Sequence, residues 1–81
     1  YGAREPVVIL RLIKLARDVG SAAQSEDDRA GVLRVVDQVM LEVEREMRDP
    51  DWLARLRELS AEAKSAISAG VVSRAPWPTE L

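Results

Sequence analysis

Hydrophobic residues recur along this chain at spacings of three and four positions, which is the period of helices with one apolar face. No stretch alternates strictly between apolar and polar residues, as a half-buried strand would. Proline, glycine and short polar runs divide the pattern into segments of about 6–20, 26–48 and 50–69. The pattern therefore predicts an all-α fold of three helices.

The first predicted helix carries the broadest apolar face. Pro6 suits the first helical turn, and Gly20 marks the expected end. At about 100° per residue, one arc of about 160° holds the following apolar residues: Val8, Ile9, Leu12, Ile13, Leu15, Ala16 and Val19. Val7 and Leu10 fall outside this arc, and the opposite side holds Arg11, Lys14, Arg17 and Asp18. So wide a face predicts a helix that is central to the fold or shared with a second surface.

The other two helices have clear starting signals. Ser25, with Asp28 three residues later, approximates a capping box. The run Asp49-Pro50-Asp51 supplies an N-cap, a proline at the first helical position and an acid at the positive helix end. The second helix has apolar residues at the seam spacing of shallowly crossing helices: Leu33, Val36, Met40, Val43 and Met47. Gly70 suits the end of the third.

Short connections between the segments predict an up-down-up three-helix bundle over residues 1–70. Residues 71–81 are predicted to form an extended tail, because Trp77 stands there between two prolines. The Trp77 ring has three interpretations: it docks into a groove of a partner, it folds back over the bundle near Trp52, or it belongs to a linker.

The chemistry available to this chain is narrow, because it contains neither histidine nor cysteine. The usual general base, thiolate nucleophile and soft-metal ligands are missing, so we expect no enzyme, no cofactor and no metal site. Glu42, Glu44 and Glu46 point in different directions on a helix, and capping explains Asp49 and Asp51.

Charge and hydropathy limit the partners. The 12 basic and 14 acidic side chains are interspersed, so no strongly positive face is expected to gather nucleic acid. The longest apolar run, residues 7–10, ends at Arg11, which excludes direct membrane insertion by this segment. Because the chain starts at Tyr1 without a signal-peptide pattern, we expect a piece of a longer protein.

Parts of the chain resemble the C-terminal cytosolic segment of a bacterial family of predicted membrane proteins of unknown function. The matching elements span about residues 1 to 63: Tyr1-Gly2-Ala3, Pro6-Val7-Val8, residues 11–19, residues 26–29 and Arg48-Asp49-Pro50. The resemblance implies a parent chain anchored in the inner membrane, with this part in the cytoplasm. It carries over no catalytic residue, and the Pro-Trp-Pro tail has no counterpart in it.

The sequence thus favours a non-catalytic packing or assembly module that buries helix faces against a second copy, as a homodimer for example, or against another domain of the parent chain. The predicted interface residues lie on the first two helices and in the tail: Val8, Leu10, Leu15, Leu41 and Trp77. The alternative is a small helical domain that binds nucleic acid or a ligand.

Overall fold

The computed structural model describes residues 5–70 and Trp77. Its helices are α1 (Pro6–Ser21), α2 (Glu26–Glu46) and α3 (Pro50–Ala69), and they are the only regular elements within the described residues. All three pack against one another, so the predicted three-helix bundle is confirmed. The predicted tail lies outside the described residues except for Trp77.

The helix ends follow the capping residues. Ser25 Oγ accepts a hydrogen bond from the Asp28 amide at 3.1 Å. Asp49 Oδ1 accepts from the amides of Asp51 and Trp52 at 3.0 and 3.3 Å, so each cap satisfies amides that have no partner inside the helix. Gly70 ends α3 in the left-handed conformation, with φ 68°.

Two boundaries differ slightly from the prediction. α1 continues through Gly20 to Ser21, and α2 ends at Glu46 because Met47 is already extended. Gly70 is the only glycine with positive φ among the described residues, so Gly20 does not act as a left-handed cap. Gly20 instead lies buried where the helices approach closely.

The two ends of the bundle show the direction of each helix. Pro6, Met47 and Trp52 line one depression, which brings together the start of α1, the end of α2 and the start of α3. At the other end, Gly20 lies against Val32 and Ile67. The arrangement is therefore up-down-up, with α1 parallel to α3 and α2 antiparallel to both.

Ion pairs between α2 and α3 agree with that antiparallel arrangement. Arg57 Nε donates to Glu44 at 3.1 Å, and Lys64 Nζ donates to Asp37 at 2.7 Å. All four side chains are well exposed, so each pair contributes at most about 1 kcal/mol to stability. The hydrophobic core contributes more to stability than these ion pairs. Its largest side chains are fully buried: Ile9, Leu10, Ile13, Val36, Val43, Leu56, Leu59 and Ile67.

Candidate interaction surface

The face that α1 buries is not the face that its apolar pattern predicts. The buried residues of α1 are these: Ile9, Leu10, Ile13, Ala16, Arg17, Gly20 and Ser21. At about 100° per residue, the centre of this set lies about 90° around the helix from the centre of the predicted arc. Ile9, Ile13 and Ala16 belong to both. Of the other predicted residues, Leu15 and Val19 are exposed, whereas Val8 and Leu12 are half-buried and Leu12 packs against the edge of the main core cluster.

Leu10 was expected to be exposed, and this expectation is wrong. Its side chain is fully buried and belongs to the main core cluster. The side of α1 that holds Leu10 is packed by other parts of the chain, which a helical wheel of α1 alone does not reveal. The core of the bundle therefore covers the Leu10 side chain, which is not available to a partner.

Trp77 takes part in closing that side of α1. Its indole Nε1 donates to the Leu10 carbonyl oxygen at 3.0 Å, and its half-buried ring packs on the core cluster that Trp52 also borders. Among the three interpretations of Trp77, this position agrees with the ring folding back onto the bundle.

Arg17 was expected on the polar side of α1, and this is also wrong. It is only 6% exposed. Its guanidinium lies 4.7 Å from the centroid of the Trp77 ring and donates to Asp18 Oδ1. The aromatic face and the carboxylate together compensate for the lost hydration of the buried cation.

The opposite flank of α1 is open. Leu15 is 59% exposed and Val19 53%, and on α2 Val35 is 49% exposed. These side chains converge on one shallow groove of about 190 Å³ between the two helices. Its lining contains apolar side chains only: Leu12, Leu15, Ala16, Val19, Val32 and Val35. We call this the α1–α2 groove. A cluster of exposed large apolar side chains marks an interaction surface more strongly than the same residues scattered singly.

The three remaining predicted interface residues divide into two groups. Val8, half-buried, lies on the same helical line as Leu12, Leu15 and Val19, so Val8 and Leu15 belong to the open side of α1. Leu41 is 57% exposed, but it does not line the groove. Charged and polar residues occupy its neighbouring helical positions three and four residues away: Asp37, Gln38, Glu44 and Arg45.

A second, larger depression lies at the turn between α2 and α3. It measures about 380 Å³ and includes Glu46, Arg48, Asp49 and the Trp52 ring. Asp49 already caps α3, and Glu44, on the same helix as Glu46, pairs with Arg57 instead. Within residues 5–70 and 77, no three acidic side chains come together as a metal site requires. Asp49 therefore serves as a helix cap, and Glu44 takes part in an ion pair.

Asp18 lies at the outer edge of the open flank and is the one described group with a clear pKa shift. Partial burial raises the pKa of its carboxyl, but hydrogen bonds from Lys14 and Arg17, together with their positive charges, outweigh this effect. The pKa of Asp18 is therefore lower than its usual value.

This shift predicts a pH dependence of stability. Because the folded state lowers the pKa of Asp18, the ionised carboxylate stabilises the fold above the unfolded value of about 3.9. The contribution disappears as the pH falls through the lowered folded value, and since 39% of the side chain is exposed, it is small. A carboxyl ¹³C titration by NMR should give Asp18 a midpoint below that of the same residue in urea. Equal midpoints would contradict the prediction, and Lys14→Ala should move the folded midpoint upward.

Comparisons with protein-family models, with curated proteins and with solved structures gave no match to this chain. Across the described part of the chain, no helix has the length and apolar character needed to cross a bilayer.

Proposed function

We propose that this chain is a non-catalytic assembly module that buries the α1–α2 groove against other protein, in self-association or in contact with another domain of a longer chain. The observation that carries the proposal is the offset between the apolar stripe of α1 and the face that the bundle buries. One set of apolar residues fills the core, and Leu15 and Val19 remain outside it. A second buried contact gives these residues a role.

The character of the groove supports a protein partner over nucleic acid. A phosphate backbone is bound by clustered lysine and arginine, whereas no charged residue lines this groove. An apolar groove between two helices suits the apolar face of another helix.

The family resemblance adds a cellular location to the proposal. It would place this module in the cytoplasm, attached to an inner-membrane parent protein whose copies or domains it brings together. The activity of such a parent would lie elsewhere in its chain.

Sedimentation velocity over tenfold concentration steps tests self-association. The wild-type chain is expected to shift from monomer to a larger species as its concentration rises. Leu15→Glu should weaken association by at least about tenfold, because it places a carboxylate in the buried contact of both copies. A chain that stays monomeric up to its solubility limit would contradict self-association.

Leu41→Glu is the matched control, since Leu41 and Leu15 are almost equally exposed and only Leu15 lines the groove. This control should associate like the wild type. If Leu41→Glu abolished association and Leu15→Glu did not, the contact would lie on the far side of α2, and the proposed role of the groove would be wrong.

A further inference from the structure

Two groups on one side of α1 meet at the Trp77 ring. Leu10 and Arg17 lie seven residues apart, so they occupy the same side of the helix, about 10 Å apart along its axis. Side chains on a helix tilt toward its N-terminus, which brings the long Arg17 side chain back toward the Leu10 carbonyl. The indole Nε1 lies 3.0 Å from that carbonyl oxygen, and Arg17 Cζ lies 4.7 Å from the ring centroid. We call this place the indole site: the Leu10 carbonyl, the Arg17 guanidinium and the adjoining edge of the main core cluster.

We propose that the indole site is a binding site for tryptophan side chains, and that Trp77 occupies it as a reversibly bound ligand supplied by the same chain. The ligand that it takes is an indole with a free ring N–H. Release of Trp77 frees the site for an indole from outside the chain. Neither Leu10 nor Arg17 lines the α1–α2 groove, so this inference goes beyond the proposed function and does not depend on it.

The bundle itself holds both polar groups of the site in place. Arg17 donates from Nε and Nη2 to Asp18 Oδ1 at 3.2 and 3.0 Å, which orients the guanidinium without help from Trp77. The Leu10 side chain is fully buried in a cluster that has members from all three helices, whereas Trp77 packs only at its edge. A carbonyl oxygen has two lone pairs, so Leu10 can accept from the indole and keep its helical hydrogen bond. The site therefore persists when the ring leaves.

The two polar groups together select an indole over other aromatic side chains. Tryptophan is the best aromatic partner for a cation, and its ring N–H is a donor only. A phenylalanine in the same place would leave the Leu10 carbonyl without its second donor, and the tyrosine hydroxyl lies at the far tip of the ring. Arg17 is only 6% exposed, so its charge acts at a site that is largely shielded from water.

The way in which Trp77 is attached favours reversible binding. Its ring is half-buried, and it lies outside the set of fully buried core residues. Residues with few buried contacts open at a lower free energy than the whole domain. Pro76 and Pro78 flank Trp77 in the sequence, and because proline fixes its own φ angle, less backbone freedom is lost when the indole binds.

A titration of the full-length Trp77→Ala chain tests the inference. The ¹⁵N-labelled variant is mixed with unlabelled N-acetyl-tryptophanamide and followed by NMR. We expect saturable shifts at the amides of residues 10–17 and at the Arg17 Nε–H. The wild-type chain should bind the same compound more weakly by about tenfold or more, because its own ring fills the site most of the time. The 1-methyl derivative, which has no ring N–H, should bind the variant about two- to tenfold more weakly than the parent compound.

A second substitution tests the part played by Arg17. In the Trp77→Ala background, Arg17→Met keeps a long apolar side chain and removes the cation, so the affinity for N-acetyl-tryptophanamide should fall about two- to tenfold. Arg34→Met, an exposed change on α2, is the matched control and should leave the affinity unchanged. Equal losses for both variants would contradict the assignment of Arg17 to the site.

Several results would overturn the inference. A folded Trp77→Ala chain without saturable shifts, or with shifts confined to residues outside 10–17, would show that no indole site exists there. Equal affinities of the variant and the wild type would show that Trp77 does not compete for the site. None of these results bears on the α1–α2 groove, which sedimentation of Leu15→Glu tests separately.

Hydrogen exchange of the wild-type chain gives a test that does not depend on folding of the variant. The Trp77 indole N–H should have a protection factor at least about tenfold lower than that of core amides such as Leu59, because the ring leaves its site without unfolding of the bundle. Equal protection would mean that the ring is released only by global unfolding. Trp77 would then be a fixed part of the core, and the inference would be wrong.

Discussion

Leu56→Ala is expected to lower the free energy of unfolding by about 2–5 kcal/mol. The Leu56 side chain is fully buried in α3, within the main core cluster that also holds Ile9, Leu10 and Val43. The substitution removes apolar contacts from all three helices and leaves a cavity that a small bundle fills only in part. At about 0.05–0.15 kcal/mol per residue, a chain of 81 residues has a total stability of about 4–12 kcal/mol, so the substitution removes a large fraction of it.

Urea unfolding followed by circular dichroism measures this loss, at a protein concentration low enough to keep the chain monomeric. Leu41→Ala is the control, because that side chain is 57% exposed and its removal should change stability by no more than about 0.5 kcal/mol. Similar losses for the two variants would mean that the core is not organised around Leu56.

Gly20→Ala is expected to destabilise the bundle by about 1–3 kcal/mol, although alanine favours a helix over glycine by about 1 kcal/mol. A Cβ atom at Gly20 would lie 2.8 Å from Ile67 Cγ1 and 2.9 Å from Val32 Cγ1. Both neighbours belong to other helices, and Ile67 is fully buried, so either these side chains or α1 itself must shift at a cost in packing. Thermal unfolding should show a lower midpoint.

Gly31→Ala is the comparison variant, and the change in stability expected for it has the opposite sign. Gly31 also lies within a helix, but nothing lies within 4 Å of the position that its Cβ would take. Alanine there should stabilise the monomer by about 0.5–1 kcal/mol through its helix preference. If both substitutions were stabilising, the close approach of the helices at Gly20 would be disproved.

Local signals in the sequence were sufficient to predict the helices and their caps. Ser25 and Asp49 accept the amide hydrogen bonds expected of N-caps, and Gly70 takes the left-handed conformation at the end of α3. These features depend on residues a few positions apart, which is why a pattern reveals them. The seam of α2 was also predictable, since Val36 and Val43 lie at its centre and are almost fully buried.

The orientation of α1 was not predictable from its own pattern. The broad apolar arc combines residues that fill the core with residues that line the open groove, so its centre falls between two surfaces. Arg17 and Gly20 are buried and do not count as hydrophobic, which shifts the true core face further. Their burial depends on Trp77, Val32 and Ile67, distant residues that no local spacing identifies.

The groove was anticipated only in part. Excess apolar surface on the first helix predicted a second contact, and Leu15 and Val8 lie on that side. Val19 belonged to the predicted arc, whereas Val35 of α2 was not recognised because a valine near the edge of a stripe looks the same whether it is covered or exposed. The position of α1 relative to α2 decides between the two.

The parallel packing of α1 and α3 has a consequence for synthesis of the chain. Ile9, Leu10 and Ile13 share their core cluster with Leu56, Leu59 and Ala63, which belong to α3 and are translated after both α1 and α2. At about 5–20 residues per second, the 20 residues of α3 take roughly 1–4 s to make. During that interval the nascent hairpin of α1 and α2 would expose apolar side chains on two sides of α1, to which chaperones can bind. In the finished bundle, α3 covers one of these two sides.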